Sequence, residues 1–229
     1  NTSGRCNSAL GRNSLLCNTT GCFNTALGKS SLENNTTASS NTAVGYLSLC
    51  TNTTGCKNTA FGALSLDANT EGCQNASFGH QSLTSNTTGD SNTAIGQNAL
   101  NANTTADNNT GVGRNALVSN TTGSTNSAFG NYALQGNTTA NDNNAFGYNA
   151  LGLNTTGASN VAMGRNALLN NTTASNNTAV GFNSLCSNTT AINNVAVGFS
   201  ALSTNVTGSD NTALGHQTLR DNTGADNTA

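Results

Sequence analysis

Asn41-Thr42-Ala43-Val44-Gly45-Tyr46-Leu47-Ser48-Leu49-Cys50-Thr51-Asn52-Thr53-Thr54-Gly55-Cys56-Lys57 is one period of a pattern that fills the chain. Asn58-Thr59-Ala60-Phe61-Gly62 opens the next period, and the spacing of 17 residues does not slip across the 229 residues. With the leading Asn as position 0, position 4 is Gly in every period, from Gly11 to Gly215. Position 8 is always Leu: Leu15, Leu32, Leu49, Leu66, Leu83, Leu100, Leu117, Leu134, Leu151, Leu168, Leu185, Leu202 and Leu219, the expected repeat core. Position 11 is always Asn, from Asn18 to Asn222. A repeat of fixed length means that every unit fills the same volume and meets its neighbours in the same way.

Seventeen residues cannot hold a pair of helices, whose repeats run to about 33–47 residues. They suffice for one coil of stacked short strands. Thr42-Ala43-Val44 alternates with period two and closes on Gly45, which reads as a strand and a bend. Tyr46-Leu47-Ser48-Leu49 reads as a second short strand, and Asn52-Thr53-Thr54-Gly55 as a turn. The predicted fold class is therefore all-β: a parallel β-solenoid (β-roll or β-helix) with one 17-residue repeat per coil and about 13 coils. Residues 1–229 are read as a single repetitive domain and as a segment of a longer array. Coils stacked at about 4.8 Å would bring like residues into columns and build a rod of roughly 60 Å. The Asn columns at positions 0 and 11 are then predicted to form hydrogen-bonded ladders.

Position 2 is Ala except at Ser77 and Gly111, and position 3 is a larger apolar residue throughout, from Leu10 to Leu214. Neighbouring strand residues point to opposite faces, so one set lines the coil interior and the other faces out. If the small set is inside, a long stripe of Phe, Val, Ile and Leu is left outside, and a partner chain is expected to cover it. If the large set is inside, the outer strip is flat and small. Self-association is expected: a lateral homo-oligomer such as a trimer, an end-to-end filament, or both.

The Asn-x-Ala-apolar-Gly strand followed by a small-residue strand resembles the head repeats of trimeric autotransporter adhesins. The longer phrase Asn-Thr-Ala-x-Gly-x-x-x-Leu-x-x-Asn-Thr-Thr-Gly is similar to repeats in phage, viral and environmental bacterial fibre proteins. The resemblance implies a left-handed parallel β-roll in which three chains pack side by side.

Asn and Thr together supply 80 residues, yet charged residues are 7% and Pro is absent, so the polarity is not that of a disordered chain. A net charge of -2 gives no basic footprint for nucleic acid. No apolar run of about 18 residues predicts membrane insertion. Seven cysteines suggest an oxidising compartment. Cys17 and Cys22 flank one corner, Cys50 and Cys56 another, and Cys56 and Cys73 share a phase in adjacent coils, which makes these five the disulfide candidates. Asn-x-Ser/Thr sequons at the corner make Asn18, Asn35, Asn52, Asn86, Asn103, Asn120, Asn137, Asn154, Asn171, Asn188 and Asn205 glycosylation candidates on exposed corners.

No catalytic or metal constellation is found, and no cofactor is expected. His80 and His216 share a phase eight coils apart. Asp90 and Asp107 stack in neighbouring coils, where a cation or plain solvation are the alternatives. The expected role is a non-enzymatic component of an extracellular fibre, filament or adhesive stalk, at the cell or virion surface, with corners offered to glycans or contacts. One alternative is an ice- or surface-binding solenoid using the Thr column at position 12, broken only by Val206. Another is a viral or phage tail-fibre shaft that recognises host glycans.

Overall fold

The computed structural model describes all of residues 1–229 and is all-β, a parallel β-solenoid without helices. No helix is therefore long and apolar enough to cross a membrane. Contacts divide the chain into two compact units, Asn1–Arg114 and Asn115–Ala229. Each repeat contributes one three-residue strand. Strands β1 (Ser8–Leu10) to β7 (Thr110–Val112) belong to the first unit, and β8 (Ser127–Phe129) to β13 (Thr212–Leu214) to the second. Within a unit, consecutive strands pair in parallel with a register of one repeat. In the first unit Thr42, Ala43 and Val44 lie beside Thr59, Ala60 and Phe61. In the second, Val161, Ala162 and Met163 lie beside Thr178, Ala179 and Val180.

Stacking extends beyond the strands. On the strand, Thr42 N–H donates to Asn58 of the next coil, and Gly45 N–H to Leu27 of the coil before. After the bend, Leu47 N–H donates back to Lys29 while Leu49 N–H donates forward to Ser65. At the corner, Thr53 N–H donates forward to Thr70. Backbone polar groups thus point along the stacking direction around the coil, which is how a thin coil keeps few of them unpaired.

The expected second strand is not one. Residues 46–49 form a turn, and Leu47 and Leu49 have φ of 55° and 48°. The same left-handed geometry recurs at positions 6, 8 and 16 in both units, as at Asn149, Leu151 and Ser159. A non-glycine residue held there costs about 1 kcal/mol or more. For the Leu column the offset is burial, about 1.5–3 kcal/mol for a whole Leu side chain, and Leu32 through Leu202 are fully buried in that column. Positive φ also turns both Ser48 and Leu49 inward, where strict alternation would have sent one of them out.

Gly45 illustrates the invariant bend. Its φ is 132°, and a Cβ there would lie 2.5 Å from the carbonyl oxygen of Gly62 in the next coil. Backbone conformation and close stacking therefore both require glycine.

The interior is narrow. Ala26, Ala43 and Ala60 in the first unit and Ala145, Ala162 and Ala179 in the second are buried, as are the Leu column and both Asn columns between Asn18 and Asn211. The small residues are inside. The larger position-3 residues face outward, with Phe61 54% exposed beside fully buried Ala60.

Candidate functional site

The two Asn columns brace each coil from within. Asn52 Nδ2 donates to Asn35 Oδ1 in the preceding coil at 2.9 Å and to Gly55 O in its own at 2.9 Å. Asn41 Nδ2 donates to that same Gly55 oxygen at 2.9 Å. One carbonyl at position 14 thus accepts from both ends of the coil and ties the corner to the start of the strand. The second unit repeats the arrangement: Asn143 and Asn154 both donate to Gly157 O, at 2.8 and 2.9 Å.

The columns differ in how they run along the stack. Corner asparagines bond side chain to side chain, as in Asn35 to Asn18 and Asn171 to Asn154. Leading asparagines mostly accept from backbone: Asn41 Oδ1 takes the Asn58 N–H at 2.9 Å, and Asn143 Oδ1 the Asn160 N–H at 3.0 Å. Most of these amides donate and accept at once, the exceptions being Asn188 Oδ1 and Asn194 Nδ2, which are buried without a partner. Asp, which only accepts when ionised, cannot replace them.

This arrangement overturns the expected exposure of the sequon asparagines. Asn18 is 1% exposed, and Asn35, Asn52, Asn86, Asn103, Asn120, Asn137, Asn154, Asn171, Asn188 and Asn205 are 0% exposed. Glycosylation replaces one Nδ2 hydrogen with a sugar, and Asn35 and Asn52 already spend both on the ladder and on position 14. The hydroxyl partners of those sequons do reach the surface.

No disulfide is present; all seven cysteines are free. Of the five candidates, Cys17 and Cys22 are not brought together, nor are Cys50 and Cys56. Cys56 and Cys73 are, with sulfurs 3.0 Å apart. Burial raises the Cys73 thiol pKa, with the Cys56 side chain adding to the rise. Burial also raises Cys50, helped by the nearby Glu33 and Asp67 carboxylates.

Position 15 has a structural logic that sequence reading missed. Its side chain accepts a backbone N–H from the coil before. Ser39 Oγ accepts from Cys22, Cys73 Sγ from Cys56, Asp90 Oδ1 from Cys73 and Asp107 Oδ1 from Asp90. Asp90 and Asp107 are therefore links in a hydrogen-bonded column. The clue lay in the restriction of this column mostly to Ser, Cys, Asp and Asn, small side chains that can all accept.

Threonine columns divide the same way. At position 12 the hydroxyls are spent on the next coil, Thr36 Oγ1 donating to Thr53 O and Thr155 Oγ1 to Thr172 O. The neighbouring position-13 residues, such as Thr54 and Thr156, are exposed instead. At position 5, Tyr46 lies under Lys29 and Tyr148 under Arg165 as cation–π pairs. His216 stacks on Phe199 in the second unit, and His80 belongs to the first.

A buried trio of serines is the one polar insertion in the Ala wall. Ser77, in place of Ala, sits 2.8 Å from Ser65 Oγ and 2.5 Å from Ser82 Oγ, so its hydroxyl is satisfied.

No family model, curated protein or solved structure matches the chain.

Proposed function

We propose that the chain is a structural, non-enzymatic segment of an extracellular fibre, filament or adhesive stalk, exposed at a cell or virion surface, whose coils supply length. The observation that supports this reading is the direction of the hydrogen bonds. Strand, bend and corner all donate to the coils before and after. One added coil therefore meets the groups that the previous coil leaves open, and the design extends without a new kind of contact. Electron microscopy of native material tests it: filaments longer than one chain are expected, and only short particles of uniform size would overturn it.

A second reading, binding to a crystalline surface such as ice, draws on the exposed position-13 threonines, including Thr37, Thr54 and Thr173. Their hydroxyls are not used within the fold, unlike those at position 12. Thermal hysteresis that disappears when these threonines become lysines would favour it; no activity at millimolar protein would end it.

A further inference from the structure

We propose that the apolar stripe at position 3 is the docking surface for a second copy of this chain, the two meeting face to face. Positions 1 and 3 of the strands face outward, and none of the thirteen strands carries a charged residue at either. Position 3 is wholly apolar; within the stack its Phe, Leu, Ile and Met side chains are 37% to 54% exposed, and Val44, Val112, Val180 and Val197 are half-buried. Aromatic side chains such as the four Phe of the stripe bury about 150–250 Å² each, and the aliphatic ones somewhat less. At the observed exposures the stripe comes to about 500 Å² on the first unit and about 400 Å² on the second. The largest apolar patch of a typical soluble monomer is about 300–600 Å² and often functional, and each unit carries one of that size. A stable interface takes about 800 Å² from each partner and is depleted of charge at its centre. Each unit alone supplies about half of that area, and the position-1 side chains alongside add to it.

Ring geometry narrows the partner. Phe61 stacks on Phe78 with ring planes 18° apart, and Phe129 on Phe146 with planes 5° apart. In each pair one ring face is spent on the neighbouring ring, and the other nine residues of the stripe are aliphatic and offer no ring. A sugar would need a free ring face. The outward side chains form ridges at the strand spacing, about 4.8 Å, and such ridges interdigitate with a second set of the same spacing.

Periodicity completes the assignment. Helix turns rise about 5.4 Å, so a helix laid along the stripe gains about 0.6 Å of mismatch per coil and is out of step within about four coils. A second stack of identical coils stays in step along the six or seven strands of a unit. The occupant that the spacing selects is another copy of the chain. This pairing does not depend on the fibre reading: filaments in micrographs report on the fibre, whereas the mass of the isolated chain reports on the stripe.

The test is light scattering and sedimentation of the purified chain over a hundredfold concentration range. A two-chain species is expected. The variant Phe61→Lys, Ile95→Lys, Phe129→Lys, Met163→Lys places charge on alternate coils of the stripe and is expected to weaken pairing at least a hundredfold. A matched variant, Thr54→Lys, Thr88→Lys, Thr122→Lys, Thr156→Lys, adds the same charge at exposed corner positions and is expected to pair normally. Circular dichroism checks that both keep their strands. If the stripe variant loses them, threonine at the same four positions replaces lysine, and pairing must still weaken. A monomer at every concentration overturns the proposal. So does a trimer, pairing that survives the stripe substitutions, or a monomeric chain that binds lipid vesicles or polysaccharide through this stripe.

Discussion

The strand wall and the corner of each coil solve one packing problem in opposite ways. At the wall, Ala43 and Ala60 point inward while Val44 and Phe61 point out. At the corner, the polar residue goes inside: Asn52 is fully buried and Thr54 is exposed. The wall thus hides almost nothing and leaves apolar surface uncovered, while the corner buries amides and satisfies them. The difference teaches that cohesion in this solenoid comes from Leu and Asn columns near the corner, and that the strands contribute a smooth wall and an outer contact face.

Breaking the corner should have the largest effect. Asn52→Asp removes two donors and sets a carboxylate against the Gly55 carbonyl in a buried site. A loss of about 3–5 kcal/mol is expected at neutral pH, measured by urea unfolding. The buried carboxyl would have a pKa above its unfolded value, so its cost is present above that raised pKa and shrinks as pH falls towards the ordinary aspartate range. Stability of this variant that does not recover on acidification would contradict the account of the corner.

Leu49→Ala tests the neighbouring column, where a fully buried Leu is truncated without a nearby side chain free to refill the space. About 2–4 kcal/mol should be lost. The matching wall substitution, Phe61→Ala, should cost the isolated chain less than about 1 kcal/mol because its side chain is already half in water. Equal losses at the two positions would erase the distinction between wall and corner.

Oxidation offers an intermediate effect. Treatment with oxidised glutathione is expected to join Cys56 to Cys73, the two thiols passing two electrons and two protons to the reagent, which becomes two molecules of glutathione thiol. The product should be lighter by two hydrogens and more stable by about 3 kcal/mol or less. Because the Cys73 thiol pKa is raised, the reaction should speed up at alkaline pH. Peptide mapping checks the connectivity, and a cross-link through Cys17 or Cys22 instead would refute the assigned proximity.

The smallest effect belongs to Asp67, whose Oδ1 is buried without a partner and whose pKa is raised chiefly by desolvation. For a raised carboxyl, the stability cost applies above the folded pKa and vanishes below the unfolded one. Asp67→Asn should therefore raise stability slightly at neutral pH, with the gain fading as pH falls through the aspartate range. Thermal unfolding across that range measures it; a constant difference would mean the gain is not electrostatic.

Much of this architecture was legible in the repeat. The spacing from Gly11 to Gly28 and onward admits one coil per period, and unvarying Asn at two columns announces side chains that must both donate and accept. The region after Gly45 departs from its own pattern. Tyr46-Leu47-Ser48-Leu49 has a strand-like pattern, but the tight coil needs left-handed residues there to turn successive N–H groups to opposite neighbours. Nothing in Leu advertises positive φ, because the compensation for that strain is burial in the assembled stack.

By itself the sequence determined the period, the stacking of like on like, and the glycine that each bend requires, since these follow from chain geometry and hydrogen-bonding capacity. Only the tertiary structure decided which strand face is inside and where the sequon amides lie. Both depend on interior width: once the Leu and Asn columns fill a 17-residue coil, the space left opposite position 2 fits a methyl group and excludes a phenyl ring. The phenyl rings go outward, and the corner amides, lacking water, bond to one another.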